Sequence, residues 1–273
     1  MSQACSWKNR AAASRKALTI IELSLSMAVL SMVAAAVAAL ATGVRQGSEF
    51  ARNSAMVTQH ARVTADRISR CIESAWATET DPGAVVVHET LGGEAVPIAL
   101  VVWRPTSGKP VNENGPPLVR ELAIFTPDTA DPRRLLEVRA PSNSSTVSLE
   151  SLDSASGRAL ISSILSSASS QKILLTELLR TTAVSGSSAR RGVVWFVRRV
   201  LPSSADLVAA RTGSKNWVDL PWPQGIYTST TGVRQTWIRF ELQLTPPGTT
   251  TANMASQAVP FFGSGAIYYE VRR

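Results

Sequence analysis

Histidine and cysteine are almost absent from this chain, with two of each among 273 residues. Cys5 and Cys71 are too few for a disulfide framework, and no Cys/His spacing suits zinc. A bridge between them would tie the N-terminal segment to the far end of a long helical stretch, so two unpaired thiols are expected. Cys5 also lacks the apolar run that precedes a lipoprotein cysteine. His60 and His88 have no Cys, Asp or Glu at a metal-ligand spacing and read as surface histidines. Serine is plentiful, yet no Gly-x-Ser-x-Gly elbow or Ser-x-x-Lys motif stands in a setting that suits catalysis. These absences point away from an enzyme and call for no cofactor and no metal. One weak calcium candidate, the carboxylates Asp128, Asp131 and Glu137 around a Pro-rich turn, matches no EF-hand spacing.

Charge is scarce too, and unevenly spread. Only 18% of residues are charged, and residues 1–17 contain no acid. The net charge is +8, of which Lys8, Arg10, Arg15 and Lys16 supply four. The remaining arginines are scattered without a dense basic stripe and interleaved aromatics, so no nucleic-acid partner is expected. Gly263-Ser264-Gly265 is too short for a phosphate loop and reads as a bulge or turn between apolar strand residues.

What the chain does have is a long apolar run. Residues 17–44 carry a single charge, Glu22, and the 22 residues from Leu23 to Val44 carry none. At about 1.5 Å per residue this run spans the ~30 Å hydrocarbon core of a bilayer. The upstream cations place the N-terminus in the cytoplasm and the bulk of the chain outside it. The run exceeds the ~7–15 apolar residues of a secretory signal. A carboxylate at the head of such a helix costs roughly 2.5–3.5 kcal/mol on insertion scales, which invites a functional reason for Glu22.

Lys16-Ala17-Leu18-Thr19-Ile20-Ile21-Glu22-Leu23 resembles the cleavage and methylation motif of type IV prepilins and pseudopilins. In that family a basic leader ends in a small residue, and a glutamate stands fifth in the mature chain. The family usually has Gly before the cut and Phe after it, where this chain has Ala17 and Leu18. The resemblance implies cleavage between Ala17 and Leu18 by a prepilin peptidase and N-methylation of Leu18. It further implies an assembly role for Glu22, with Thr19 beside it, through pairing with the N-terminus of a neighbouring subunit. The implied partners are other pilins or pseudopilins and an inner-membrane assembly platform. The implied location is the bacterial inner membrane, single-pass, with the C-terminal domain periplasmic, and then a filament. Size and β content resemble the J-type minor pseudopilins of type II secretion or the W-type minor pilins, which implies a place at the filament tip. The alternative is a membrane-anchored periplasmic binding module whose helix is only a tether.

Beyond the run, Phe50, Val57, Ala61, Thr64, Ile68, Ile72 and Ala75 fall on one helical face, predicting an amphipathic extension from about Arg45 to about Trp76. Gly43 and Gly47 are places where the helix could bend. Strands are expected over 84–88, 98–103, 118–126, 135–140, 192–201, 234–245 and 258–272. The organisation is therefore a basic leader (1–17), a membrane half of the helix (18–44), an amphipathic half (45–78) and a β-rich domain (84–273). A Ser-rich insertion at about 142–190 reads as flexible, with one short helix able to dock on the sheet. The expected fold is α+β and pilin-like: a long N-terminal helix whose second half covers one face of an antiparallel sheet.

Overall fold

The uncharged run contains no proline and is rich in Ala, Leu and Met, all good helix formers. In the computed structural model, which describes residues 19–91, 93–113, 115–184 and 189–273, it forms part of one helix, α1 (Ile20–Glu73). Gly43 and Gly47 are both helical, so α1 is unbroken at either glycine. The chain divides into two compact units, Met1–Arg52 and Asn53–Arg273.

From Leu23 to Val44, within the first unit, α1 is apolar on every side, and Leu25, Leu30, Met32 and Leu40 are all exposed. A helix of that kind needs either a protein core or a lipid environment. Its few polar groups are satisfied internally. Ser24, Ser26, Ser31 and Thr42 donate their hydroxyls to the carbonyls of Ile20, Glu22, Ala28 and Ala38, at 2.8–2.9 Å. Every hydroxyl between Leu23 and Val44 is thus bonded to its own helix, as a waterless surrounding demands. By length and composition, this is a helix able to cross a membrane.

In the second unit the remaining part of α1 buries Val57, Ala61, Thr64, Ile68, Cys71 and Ile72, a stripe with steps of three and four. Phe50, expected on that stripe, is exposed and belongs to the first unit. The helix also stops at Glu73 rather than near Trp76, because the Trp76 amide donates to the Trp103 carbonyl instead of to α1.

Five strands form an antiparallel meander in chain order: β1 (Ala84–Leu91), β2 (Glu94–Trp103), β3 (Leu122–Pro127), β4 (Leu135–Arg139) and β5 (Gln171–Thr176). Val86, Leu100, Val102 and Phe125 pack with the α1 stripe on one face. Val85, Val87, Val101 and Val138 point the other way, onto Leu149, Leu152 and the helix α2 (Ala155–Ser166) through Ile161 and Ile164. The sheet is therefore buried on both faces, which is why β1 and β2 read as continuous apolar runs instead of alternating ones. The Ser-rich insertion is accordingly structural, since it supplies α2, the edge strand β5 and β6 (Thr181–Ala183). Ser154 caps α2 by accepting from the Gly157 amide at 3.2 Å, and serines elsewhere bond to nearby carbonyls.

A short hairpin pairs β6 with β7 (Arg190–Gly192). A second sheet has the order β10-β9-β8, from β8 (Val194–Leu201), β9 (Thr231–Leu244) and β10 (Val259–Arg272). The helix α3 (Ser204–Arg211) lies between β8 and β9 in sequence, in a stretch to which the sequence pattern assigned no element. β9 alternates as expected: Thr236, Ile238, Phe240, Leu242 and Leu244 are buried, while Trp237, Arg239 and Glu241 lie on the wetter face. The Gly263-Ser264-Gly265 stretch is neither bulge nor turn, because β10 pairs with β9 through it in unbroken register. Its glycines serve close packing instead. A methyl group on Gly263 would collide with the Phe240 ring, and one on Gly265 would sit 2.9 Å from the Ile72 Cβ of α1. The architecture is α+β, a long apolar N-terminal helix with an antiparallel sheet domain.

Candidate functional site

The Ala17–Leu18 bond lies outside the described residues, so the site is built from Thr19 onward. Thr19 precedes the first helical residue and Glu22 stands three positions later, the spacing of a capping box. The bonds are reciprocal. The Glu22 amide donates to Thr19 Oγ1 at 3.3 Å, and Glu22 Oε2 accepts from the Thr19 amide at 3.0 Å and from its hydroxyl at 3.1 Å. The two residues satisfy two of the backbone donors at the helix start. Only Oε2 is used. Among the described residues Glu22 Oε1 accepts no bond, so the carboxylate keeps a lone oxygen and its charge available to a partner. Anions are also favoured here by the helix dipole.

No family model, curated protein or solved structure matches the chain at a significant level.

Most of the other groups singled out from sequence fall in the second unit. Cys71 is fully buried, and burial pushes its thiol up to about 11 despite the lowering influence of nearby Arg104; it is a packing residue. Cys5 lies outside the described residues. His60 sets its ring nitrogen 3.3 Å from the Thr176 hydroxyl. His88 has a carboxylate partner that sequence spacing could not reveal: Asp153 accepts the His88 amide at 2.6 Å and lies 3.2 Å from its ring. Arg158 fastens this pair by donating to the carbonyls of both residues. Among the described residues no hydroxyl or thiol is bonded to the His88 imidazole.

The three carboxylates weighed for calcium are separated by role. Asp128 accepts from the Ala130 amide, and Asp131 accepts from the Arg133 amide and pairs with Arg134 at 3.3 Å. Glu137 is buried in the sheet, its Oε2 2.8 Å from Arg67 Nε and its Oε1 2.9 Å from Arg139 Nε. Burial alone would push this carboxyl up; the two guanidinium hydrogen bonds and charges outweigh it and hold the group below the usual carboxylate range. Arg67 is raised in turn by its bond to Glu137. This triad clamps α1 to β4 and was not foreseen, because Arg67 is 70 positions from Glu137. Among the described residues no group of three or more His, Cys, Asp or Glu converges as a metal site would require.

Proposed function

We propose that the chain is a pilin-like assembly subunit, a minor pseudopilin or minor pilin that enters a filament through α1. The observation that carries this reading is the single carboxylate at the head of a helix otherwise uncharged for a bilayer's depth, directly after Lys16-Ala17-Leu18-Thr19. The Thr19–Glu22 cap supports it, since it holds the carboxylate at the helix start while Oε1 has no partner among the described residues. The back-bonded hydroxyls support it too, because such a helix can pass from lipid into a packed bundle of like helices without exposing a polar group.

In this reading a prepilin peptidase cuts after Ala17 and methylates the amine of Leu18. The cationic N-terminus of one subunit then pairs with the Glu22 carboxylate of its neighbour. Each charge offsets part of the desolvation that the other suffers alone in low dielectric. The β-rich domain stays on the periplasmic side and contacts sibling subunits at the filament tip.

Glu22→Ala tests this reading against the tether alternative. The variant should still insert in the inner membrane, since it removes a charge and one half of the Thr19–Glu22 cap but leaves the apolar run intact, whereas its recovery in sheared or pulled-down filament complexes should fall about tenfold or more. A companion chain in which residues 1–44 are replaced by an unrelated anchor should also fail to assemble. Normal assembly by both would leave α1 as a simple anchor.

A further inference from the structure

A cleft of about 360 Å³ is lined by β1 and β2 of the first sheet, by β8 of the second and by the turn Leu149–Asp153. That volume falls in the range of small-ligand sites. Its polar groups are held in place by one another. Arg198 holds Glu150 through both terminal nitrogens, Nη1 3.0 Å from Oε1 and Nη2 3.1 Å from Oε2, and is itself tied to the Ala84 carbonyl. Asp153 holds His88 by one oxygen on its amide and the other beside its ring.

These groups are fixed but not used up. Each of the four carboxylate oxygens meets one partner among the described residues and has room for a second, and His88 Nε2 has none. The side chains of Glu150, Asp153 and His88 are all exposed, so that spare capacity is open to a ligand. The charges balance as well: Arg198 faces Glu150, and Arg158, bonded to the carbonyls of His88 and Asp153, offsets Asp153. An ion would have to break one of these pairs, and a purely apolar ligand would strand both carboxylates without water. Trp195 supplies the remaining feature. It lines the same cleft with 46% of its surface exposed, and its indole N–H has no partner among the described residues. The cleft thus joins a flat apolar ring to oriented donors and acceptors with no net charge. A sugar ring has the matching two-sidedness, with C–H groups on its face and hydroxyls at its edge.

We propose that this cleft binds a neutral saccharide, with one sugar ring stacked on the Trp195 indole and its hydroxyls donating to the carboxylates of Glu150 and Asp153. Hydrogen bonds to charged acceptors are stronger than those between neutral groups, and Arg198 and His88 hold the acceptors in position before the ligand arrives. The indole contributes area at little cost in freedom, because it is already fixed on β8. The inference does not depend on the role of Glu22.

The test uses the full-length protein in a detergent without a sugar headgroup, titrated calorimetrically with neutral tetrasaccharides of β-linked glucose, β-linked N-acetylglucosamine and α-linked glucose. At least one should bind saturably and change the tryptophan emission. Trp195→Ala should weaken that binding by about tenfold or more, Trp195→Phe should restore part of it, and Glu150→Gln should weaken it while circular dichroism stays unchanged. Raising salt to about 0.5 M should leave the affinity unchanged, since the ligand carries no charge. If Trp195→Ala does not fold, slowed amide exchange at 85–88 and 195–198 in the sugar-bound wild type gives the same answer. Binding of none of the three sugars, binding that survives Trp195→Ala, or protection confined to other segments would overturn the proposal. So would tighter binding of a tetralysine or tetraglutamate peptide in the same cleft, which would make it an ionic site.

Discussion

Replacing Glu137 by glutamine preserves its shape and removes the charge that two arginines share. Its side chain is 0% exposed, and it receives hydrogen bonds of 2.8 Å from Arg67 and 2.9 Å from Arg139. Hydrogen bonds to charged groups contribute about 1.5–3 kcal/mol each, and removing one member of a buried ion pair costs about 3–5 kcal/mol. The two arginines differ in how they respond. Arg67 is 43% exposed and can turn to water when its partner is neutralised, whereas Arg139 is 18% exposed and cannot do so fully. Glu137→Gln, which keeps one acceptor, should therefore cost about 2–3 kcal/mol, and Glu137→Ala about 3–5 kcal/mol. Urea unfolding of the full-length protein in detergent, followed through its seven tryptophans, gives the difference from the midpoint shift at constant slope. The pH dependence has a definite sign. The folded-state carboxyl is held below its ordinary value, so its contribution is complete above the ordinary carboxylate range and is lost as pH falls through the folded-state value. The gap between wild type and Glu137→Gln should accordingly narrow in acid. A Glu137→Gln cost under about 0.5 kcal/mol, the size of an ordinary surface substitution, would refute this account of the clamp.

Two further outcomes follow from packing. Gly265→Ala should destabilise the second unit by about 1–3 kcal/mol through overpacking, because its new methyl group would lie 2.9 Å from Ile72 Cβ and 3.2 Å from the Ser69 carbonyl; a neutral melt would mean that β10 and α1 are less closely packed. Cys71 should resist alkylation in the folded Cys5→Ser chain and react once denatured, since it is fully buried with its thiol raised to about 11. Rapid stoichiometric labelling of the native protein would contradict that burial.

Much of this fold was legible wherever one periodicity held over a long stretch. The helix stripe from Val57 to Ile72 and the alternation of β9 are one-face patterns, and both appear as read. Errors came where two surfaces compete for one segment. Serine-rich composition in 142–190 reads as a flexible insertion with one short helix able to dock; that helix is present as α2, but Leu149 and Leu152 join its Ile161 and Ile164 in covering the sheet's second face, and the stretch also supplies β5 and β6. The cue was present in β1 and β2, whose unbroken apolar runs imply cover on both sides. The glycines of β10 misled because closeness to Phe240 and Ile72 is a tertiary fact with no local signature. The Arg67–Glu137–Arg139 clamp and the His88–Asp153 pair were invisible for the same reason, each joining positions far apart in the chain. The Thr19–Glu22 cap is the opposite case: its spacing is local, and the sequence motif already places both residues together.

That cap also limits what Glu22 alone can prove, since a capping glutamate has a structural use at any helix start. Processing of the N-terminus is the sharper criterion, because a simple tether needs none. The direct measurement is the intact mass and N-terminal sequence of the protein recovered from the membranes of a host with a prepilin peptidase. The account predicts loss of residues 1–17 and a mature chain beginning at Leu18 with one added methyl group on its amine. A chain that keeps Lys16 and Ala17, or that is cut elsewhere and left unmethylated, would contradict it.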